Sequence, residues 1–197
     1  MITSQQLLYK RLFDFSFSLI LLLFLFIPLL LLVLFASVDT QQWGLFKQVR
    51  VGQHARLFHI YKIRTLRQAK KGQGLGAEII SPFGQFLRAH RWDELPQLFN
   101  IVFGQMSFVG PRPDLPGFAD MLEGEDRVLL KVKPGLTGPA SLKYAQEAQV
   151  LAQQSDPEAY NRRVIWPDKV EINKNYVQSY RFSLDLTFIY RSLSRLI

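Results

Sequence analysis

An uncharged run of 24 residues, from Phe15 to Val38, constrains this chain more than any other feature. Only three serines and one proline interrupt its apolar side chains. As a helix the run would rise about 36 Å, which is enough to cross the hydrocarbon core of a bilayer. The run is too long for the core of a signal peptide, and no small-x-small cleavage site follows it. The sequence therefore predicts a retained membrane segment within residues 1–40, followed by a separate domain over residues 41–197.

Pro28 stands close to the centre of this run and leaves two membrane arrangements open. Proline removes a helical hydrogen bond and clashes with the preceding turn, so it predicts a bend. Lys10 and Arg11 precede the run, and Lys47 and Arg50 follow it. A spanning helix would place one of these cationic flanks on the outer face, against the positive-inside tendency, whereas a re-entrant helix leaves both on one side. The residues alone leave a re-entrant helix and a kinked span both open.

The formal net charge of +8 is concentrated directly after the apolar run. Residues 44–91 contain ten Lys and Arg side chains against a single acid, Glu78. Juxtamembrane cations attract anionic headgroups by about 1 kcal/mol each near the surface, so lipid binding is one interpretation. A pocket for a polyanionic substrate is the other. The chain of 197 residues has no cysteine, which excludes a disulfide scaffold, a thiolate nucleophile and a Cys-ligated zinc site.

Hydrophobic patterning predicts a mostly helical α+β domain behind the membrane segment, with a short β-hairpin formed by residues 45–51 and 57–63. Residues 68–76, rich in lysine, glutamine and glycine, predict a mobile loop. The last predicted helix is amphipathic, and we expect it to pack on the domain or to lie in the membrane interface. On the helix predicted over residues 82–89, Phe83, Phe86 and Leu87 are expected to point inward. The predicted helices cover residues 82–89, 93–103, 114–130, 168–180 and 183–197.

Two adjacent carboxylates, Asp93 and Glu94, stand at the predicted start of a helix, and Arg88 and Arg91 come just before them. Carboxylate oxygens suit Mg²⁺, which binds proteins through one or two carboxylates plus substrate phosphates. A carboxylate also acts as a nucleophile in covalent catalysis. Cation, metal and nucleophile together are what phosphoryl transfer needs, because that chemistry is mostly positioning and charge neutralisation. The alternative interpretation is that Asp93 merely caps the N-terminus of the helix.

Three further segments supply cations that favour the first interpretation. One of them is a tight turn over residues 133–138 that carries Lys133, and on its own it is also explained as an ordinary turn. Arg112 lies between Pro111 and Pro113, whose restricted backbone would hold a guanidinium fork that matches phosphate. Lys62 and Arg64 place two cations on one face at the end of a predicted strand. Each of the other two segments alone is also explained as a rigid loop or a surface strand. Their presence together with the acidic pair predicts a phosphate-binding site.

The motifs that contain these residues, and the order of the motifs along the chain, resemble those of the bacterial sugar transferase family, the monotopic phosphoglycosyl transferases. DELPQ and MSFVGPRP are the most specific parts of the match. Because the anchor of this family is a re-entrant helix, the resemblance favours the form bent at Pro28. The matching strings cover nearly the whole chain: KRLFD at 10–14, YKIRT at 61–65, DELPQLFN at 93–100, GQMSFVGPRP at 104–113, and the tight, cation-bearing turn KPGLTG at 133–138.

The resemblance implies an enzyme that moves a sugar-1-phosphate from a UDP-sugar to undecaprenyl phosphate, with Mg²⁺ as its cofactor. The matching Asp93 would attack the β-phosphorus, release UMP and hold a covalent phosphosugar until undecaprenyl phosphate displaces it. Glu94 would hold the Mg²⁺ ion. The positions implied to bind substrate are Lys62, Arg64, Arg88, Pro111, Arg112 and Pro113.

By the same resemblance, the catalytic domain would lie on the cytoplasmic face of the bacterial inner membrane and catalyse the first membrane step of a glycan pathway. Its expected partners are membrane lipid, the UDP-sugar, undecaprenyl phosphate, and either a second copy of the chain or a downstream glycosyltransferase. A non-catalytic, membrane-anchored basic scaffold or lipid-binding protein is the alternative. Nucleic acid is not expected as a partner, because neither a binding module nor a basic face interleaved with aromatic residues is found.

Overall fold

The computed structural model of the chain describes residues 2–68 and 78–195. Within these ranges the protein is mostly helical and carries three two-stranded sheets, which confirms the predicted α+β class. One described helix is long and apolar enough to cross a membrane by length and composition. The predicted mobile loop lies outside the described residues, except for Gln68 at its start.

The helices and strands are short, apart from the first helix. Strands β1 and β2 pair antiparallel, as do β3 and β4, whereas β5 and β6 pair in parallel. The α-helices are α1 (Ser4–Thr40), α2 (Pro82–Ala89), α3 (Gln97–Val102), α4 (Pro139–Lys143), α5 (Glu147–Ala152), α6 (Pro157–Tyr160), α7 (Trp166–Gln178) and α8 (Phe182–Leu193). The strands are β1 (Leu45–Val51), β2 (Leu57–Ile63), β3 (Leu66–Gln68), β4 (Glu78–Ile80), β5 (Ser107–Val109) and β6 (Gly135–Thr137).

Helix α1 has defined ends and contains the predicted apolar run. A capping box begins it, because the Thr3 hydroxyl accepts from the Gln6 backbone N–H and the Gln6 side chain accepts from the Thr3 N–H. Gln41 ends it in the left-handed conformation, with a φ of 55°. The helix is continuous across Pro28. One long apolar helix is therefore confirmed, while its re-entrant bend stays a prediction.

A narrow buried stripe runs along the whole length of α1. Its spacing of three, four or seven residues places the stripe on one face of the helix. Before Pro28 the stripe packs into the main core, beside Ile101 and Phe108. After Pro28 it packs against Ile63 of β2 and Leu87 of α2. Both halves of the helix therefore contact the rest of the protein. The stripe consists of Lys10, Asp14, Ser18, Leu22, Leu29, Val33, Ala36 and Thr40.

A buried ion pair joins the beginning of α1 to α8. The Nζ atom of Lys10 lies 2.5 Å from Oδ2 of Asp185, and both side chains are almost completely buried. The hydroxyls of Tyr176 and Tyr180 donate to the same carboxylate at 2.6 and 3.0 Å. A buried charge is tolerated only when it is paired and hydrogen-bonded. These four groups therefore fix the position of α1 against α7 and α8.

Several predicted elements are confirmed, but the helix predicted over residues 114–130 is wrong. Strands β1 and β2 and helix α2 have the predicted bounds, and α7 and α8 lie close to theirs. The continuous helix predicted over residues 114–130 is instead two separate 3₁₀ turns, Ala119–Met121 and Gly124–Lys131. Pro116 cannot donate a helical hydrogen bond, and Gly117 and Gly124 adopt positive φ angles of 95° and 54°. These three residues interrupt the helical periodicity.

One side chain that the sequence placed inward is exposed, and so is an apolar face of the last helix. Phe86 on α2 is 43% exposed, although its neighbour Leu87 is fully buried. On α8, Leu186, Tyr190 and Leu193 are exposed along one side of the helix. A row of exposed apolar side chains on a surface helix is typical of a helix that lies in a membrane interface. Of the two placements predicted for the last helix, this surface favours the interfacial one.

Replacing Asp185 with Asn should strongly destabilise the protein. The change leaves the Lys10 ammonium buried without its counter-charge, which costs about 3–5 kcal/mol of unfolding free energy. The measurement is thermal or denaturant unfolding of the detergent-solubilised chain, followed by circular dichroism.

The matched control is Asp168→Asn, which removes an exposed carboxylate paired with Lys143 and should cost about 1 kcal/mol or less. Adding Lys10→Met to Asp185→Asn should recover part of the loss, because the uncompensated charge is then gone. Equal stability of the two single Asn variants would show that the buried pair does not hold α1.

Candidate active site

The acidic pair lies in a tight turn between α2 and α3. The turn begins at Arg91, a non-glycine residue in the left-handed region with a φ of 56°. A single 3₁₀ turn, Trp92–Glu94, follows, and α3 begins only at Gln97. The prediction that Asp93 caps a helix running over residues 93–103 is wrong, because Asp93 lies inside the 3₁₀ turn and caps neither helical segment. Its carboxylate is thus not used for capping.

Glu94 holds two cations with one of its carboxylate oxygens. Its Oε1 atom accepts from Nζ of Lys62 at 2.9 Å and from a terminal nitrogen of Arg112 at 2.6 Å. Burial by itself would raise the pKa of Glu94, but the charges and hydrogen bonds of Arg112 and Lys62 outweigh it and lower the pKa to about 2. Glu94 is therefore ionised at neutral pH, and it brings two predicted phosphate-binding residues to the same point.

Asp93 has the opposite electrostatic environment. Burial raises its pKa above the usual value for an aspartate, and the neighbouring Glu94 carboxylate raises it further. Lys62 and Arg88 act against this shift but do not cancel it. Two adjacent carboxylates with pKa values pushed apart are typical of sites in which the two groups have different chemical roles. Asp93 is the more basic of the two, and Glu94 is the charge that organises the cations.

Asn100 holds the strand that carries Lys62 against helix α3. Its side-chain nitrogen donates to the His59 backbone oxygen at 2.7 Å, and its side-chain oxygen accepts from the Tyr61 N–H at 3.3 Å. The side chain is completely buried. Because these two bonds clamp strand β2 from the side, Lys62 is directed at the turn that carries Glu94. The spacing between Glu94 and Asn100 in the DELPQLFN string thus has a structural reason.

Close backbone contacts between glycines fix the position of Arg112. The backbone of Gly110 packs directly on that of Gly135 and Gly138, and a Cβ atom added to Gly135 would lie only 2.1 Å from the Gly110 nitrogen. The Gly135 N–H donates to the Pro111 oxygen at 2.7 Å. These contacts join the GPRP segment to the KPGLTG turn. Any side chain at these glycines would push the two segments apart and move Arg112 away from Glu94.

The other predicted binding residues divide into two groups. The Nε atom of Arg88 donates to the Thr65 hydroxyl at 2.9 Å, which holds its guanidinium near Asp93. The Pro113 carbonyl accepts from Arg50 at 3.2 Å, so Pro111 and Pro113 act here through their backbone. Arg64 instead donates to the Trp43 backbone oxygen at 2.9 Å and packs over the ring of Phe46. It makes no described contact with Asp93 or Glu94.

A cleft of about 320 Å³ begins beside Arg112. It contains two buried polar atoms, Oγ of Ser141 and Oδ1 of Asn173, for which the described residues supply no hydrogen-bond partner. Buried polar atoms are nearly always hydrogen-bonded, so two orphans in one cleft indicate a bound polar ligand or water. The cleft is lined by charged, polar and aromatic side chains, including Arg91, Asp114, Tyr144, Glu147, Trp166 and Lys169.

Asp114 gives this cleft a charge that changes close to neutral pH. Burial raises its pKa to about 6, against the opposing influence of Lys169, Arg50 and Arg112. Sequence reasoning missed this residue, as it missed Asn173, which comes from α7. The predicted helix over residues 168–180 was a sufficient signal for α7 itself. Which of its side chains face the cleft depends on long-range packing, and no local pattern reports it.

Comparison with known proteins gives a consistent result. A family model described as bacterial sugar transferase matches residues 5–197. The uncharacterized sugar transferase EpsL of Bacillus subtilis (strain 168) is 30% identical over 186 residues, which cover 93% of this chain and 84% of that protein.

Two relatives with named activities are similar over a shorter part of their length. The UDP-N-acetylgalactosamine-undecaprenyl-phosphate N-acetylgalactosaminephosphotransferase of Aeromonas hydrophila is 30% identical over 161 residues, covering 78% of this chain and 35% of that protein. The UDP-glucose:undecaprenyl-phosphate glucose-1-phosphate transferase of Klebsiella pneumoniae is 31% identical over 170 residues, covering 80% of this chain and 34% of that protein. The chain thus spans about a third of the length of these two relatives.

Proposed function

This chain belongs to the bacterial sugar transferase family, and on that premise we propose that it transfers a sugar-1-phosphate from a UDP-sugar to undecaprenyl phosphate and releases UMP. The names of its relatives support a transferase that uses undecaprenyl phosphate. The observation that carries the proposal is the adjacent pair of carboxylates, one made basic and one ionised at neutral pH, inside a cluster formed by Lys62, Arg88 and Arg112.

The first step forms a covalent phosphosugar on Asp93. A carboxylate oxygen of Asp93 attacks the β-phosphorus of the UDP-sugar while the bond from that phosphorus to the bridging oxygen breaks, and the electron pair leaves with UMP. A more basic carboxylate is a better nucleophile once it is ionised, which agrees with the raised pKa of Asp93. Lys62, Arg88 and Arg112 neutralise the diphosphate, and the cleft beside Arg112 holds the uncharged remainder of the donor.

The second step returns Asp93 to its starting state. A phosphate oxygen of undecaprenyl phosphate attacks the same phosphorus, the bond to Asp93 breaks, and the carboxylate is restored. The product is the sugar linked through a diphosphate to the undecaprenyl chain. Because UMP leaves before the acceptor reacts, the kinetics are ping-pong. The alternative, a non-catalytic basic scaffold, gives no reason for an acidic pair inside a cluster of cations.

Replacing Asp93 with Asn should abolish the reaction without unfolding the protein. The amide cannot attack phosphorus, so UMP release should fall by about three orders of magnitude or more. The measurements are UMP release from a panel of UDP-sugars and the mass of the protein after incubation with donor alone. Asp126→Asn, the same change at a half-exposed aspartate in the 3₁₀ turn Gly124–Lys131, is the control and should keep both. Normal turnover in Asp93→Asn would remove Asp93 as the nucleophile.

We propose Glu94 as the residue that holds Mg²⁺. The described residues contain no group of three or more acidic or histidine side chains suited to a metal, so they form no protein-only cage. One carboxylate combined with substrate phosphates is an ordinary donor set for Mg²⁺, and both described hydrogen bonds to Glu94 use the same oxygen, Oε1. The residues present therefore fit the ion. When bound, it would offset the negative charge of the diphosphate.

Removal of Mg²⁺ with EDTA should stop UMP release, and added Mg²⁺ should restore it. Glu94→Gln should raise the Mg²⁺ concentration needed for half-maximal activity by about tenfold or more. Glu158→Gln, at an exposed glutamate of α6, should leave the metal titration unchanged. Activity that persists in EDTA, or an unchanged titration in Glu94→Gln, would exclude the metal role.

We further propose that α1 is re-entrant and that residues 41–197 form the catalytic domain on the cytoplasmic face. A straight helix would separate Lys10 from Ala36 by about 39 Å, which exceeds the bilayer core of about 30 Å. Yet Lys10 contacts α8, while Ala36 packs in a cluster with Ile63 and Leu87. If α1 spanned the membrane, the domain that contacts both of its halves would have to enter the bilayer with it. A bend at Pro28 removes this conflict.

Cysteine labelling can distinguish the two arrangements, because the native chain has no cysteine. We expect Ser4→Cys and Gln42→Cys, at the two ends of α1, both to be protected from a membrane-impermeant maleimide in intact cells. Both should react after the cells are permeabilised. Labelling of one end alone in intact cells would indicate a spanning helix, and labelling of both ends would place the domain outside.

A further inference from the structure

Four aromatic rings form a continuous strip from the membrane helix to the acidic pair. We define the aromatic strip as Phe35 of α1, Phe83 and Phe86 of α2, and Trp92 of the 3₁₀ turn. The ring centroids of Phe35 and Phe83 are 6.3 Å apart, those of Phe83 and Phe86 6.3 Å, and those of Phe86 and Trp92 5.4 Å. All three distances are those of rings in direct contact. The strip therefore has no gap along its length.

Three rings of the aromatic strip are exposed in the folded protein, and Phe83 is partly buried against the cluster that contains Ile63 and Leu87. Phe35 is 61% exposed, Phe86 is 43% exposed and Trp92 is 41% exposed. The bilayer covers Phe35 of α1, whereas Phe86 and Trp92 lie outside the apolar run, where exposed apolar surface costs about 25 cal/mol per Å² in water. The covalent chemistry at Asp93 and Glu94 does not use these rings. Their exposure calls for an apolar ligand.

The two ends of the aromatic strip identify that ligand. Phe35 lies in the apolar run of α1, and Trp92 directly precedes Asp93. Arg88, which influences the charge of Asp93, is on the same short helix as Phe83 and Phe86. A ligand that fits both ends has an apolar chain that begins in the lipid and an anionic group that ends beside Asp93. A polyprenyl phosphate has this form. A membrane phospholipid is not a reactant in the proposed reaction, so nothing in that reaction requires its phosphate beside Asp93.

We propose that the aromatic strip binds the isoprenoid chain of the acceptor and guides its phosphate to Asp93. The inference rests on the proposed function, since it concerns the second of its two half-reactions. The isoprene units closest to the phosphate contact Trp92 and Phe86, and later units pass Phe83 and Phe35 into the membrane. The aromatic strip therefore acts in acceptor recognition and has no part in the formation of the phosphosugar on Asp93.

The test compares the two half-reactions in the full-length, detergent-solubilised chain carrying Phe86→Ala. The first is UMP release from a UDP-sugar without acceptor. The second is discharge of the resulting adduct by undecaprenyl phosphate or by dimethylallyl phosphate, which has a single isoprene unit. We expect the first half-reaction to be unchanged within twofold. The preference in kcat/KM for the long acceptor over the short one should fall about fivefold, because the half-exposed ring contributes only part of a full burial energy.

Three further variants make the result specific. Phe35→Ala, at the membrane end of the aromatic strip, should lower the same preference, and Phe86→Trp should retain it because the ring is kept. Phe103→Ala, at an equally apolar residue that is 70% exposed and outside the aromatic strip, should have no effect. A slower first half-reaction in Phe86→Ala, or an equal loss with both acceptors, would indicate a structural role and overturn the proposal. An unchanged preference in both Phe86→Ala and Phe35→Ala would also overturn it.

The proposal can fail separately from the function on which it rests. If the wild-type chain releases UMP and forms the adduct but its chain-length preference does not depend on the aromatic strip, only the acceptor path is refuted. If the wild-type chain forms no adduct with any UDP-sugar, the proposed reaction itself is refuted, and the acceptor path with it.

Discussion

The buried stripe on α1 is the constraint from which the rest of the structure follows. Most of the surface of this helix is apolar and suited to lipid, but one face packs on the domain on both sides of Pro28. That face begins with Lys10, which is neutralised by Asp185 and is supported by two tyrosine hydroxyls. A charged group so deeply buried permits one register only, because any slip would leave it unpaired. The long apolar helix is thus an integral part of the core.

Side chains of the same helix form hydrogen bonds with the backbone of segments that carry the candidate active site. Asp14 accepts a hydrogen bond from the Phe108 N–H in β5 at 3.1 Å, and the segment after β5 carries Arg112. Arg11 donates to the carbonyls of Ile101 and Val102 at the end of α3, the helix that follows the acidic turn. Two motifs therefore depend on α1 for their position. The candidate active site is therefore built directly on the long apolar helix.

The acidic pair illustrates how neighbours with the same charge acquire different properties. Asp93 and Glu94 are adjacent in sequence, yet two cations lower the pKa of Glu94 while burial and Glu94 itself raise that of Asp93. The difference comes from where Lys62 and Arg112 are held, one by the clamp of Asn100 on β2 and the other by the glycine contacts behind the GPRP segment. The electrostatics of the site are thus a consequence of backbone packing.

The amino-acid sequence by itself determined the local elements and the chemical inventory. The 24-residue apolar run, the hairpin bounds and helix α2 follow from periodicity, and the family resemblance brought Asp93, Glu94 and Arg112 together as candidates. Three expectations were wrong. Asp93 does not cap a helix, glycines and a proline break the helix predicted over residues 114–130, and Phe86 is exposed although its spacing suggested burial.

What only the tertiary structure decided is which side chains meet. Lys62 and Arg64 are two residues apart and looked equivalent, but one binds Glu94 and the other is held by Trp43 and Phe46. The cleft with Asp114 and Asn173, the buried partner of Lys10 and the row of rings from Phe35 to Trp92 combine segments far apart in the chain. Periodicity reports which face of an element is apolar, because it depends on neighbours within a few residues. It carries no information about what packs against that face, since this depends on contacts across the whole fold.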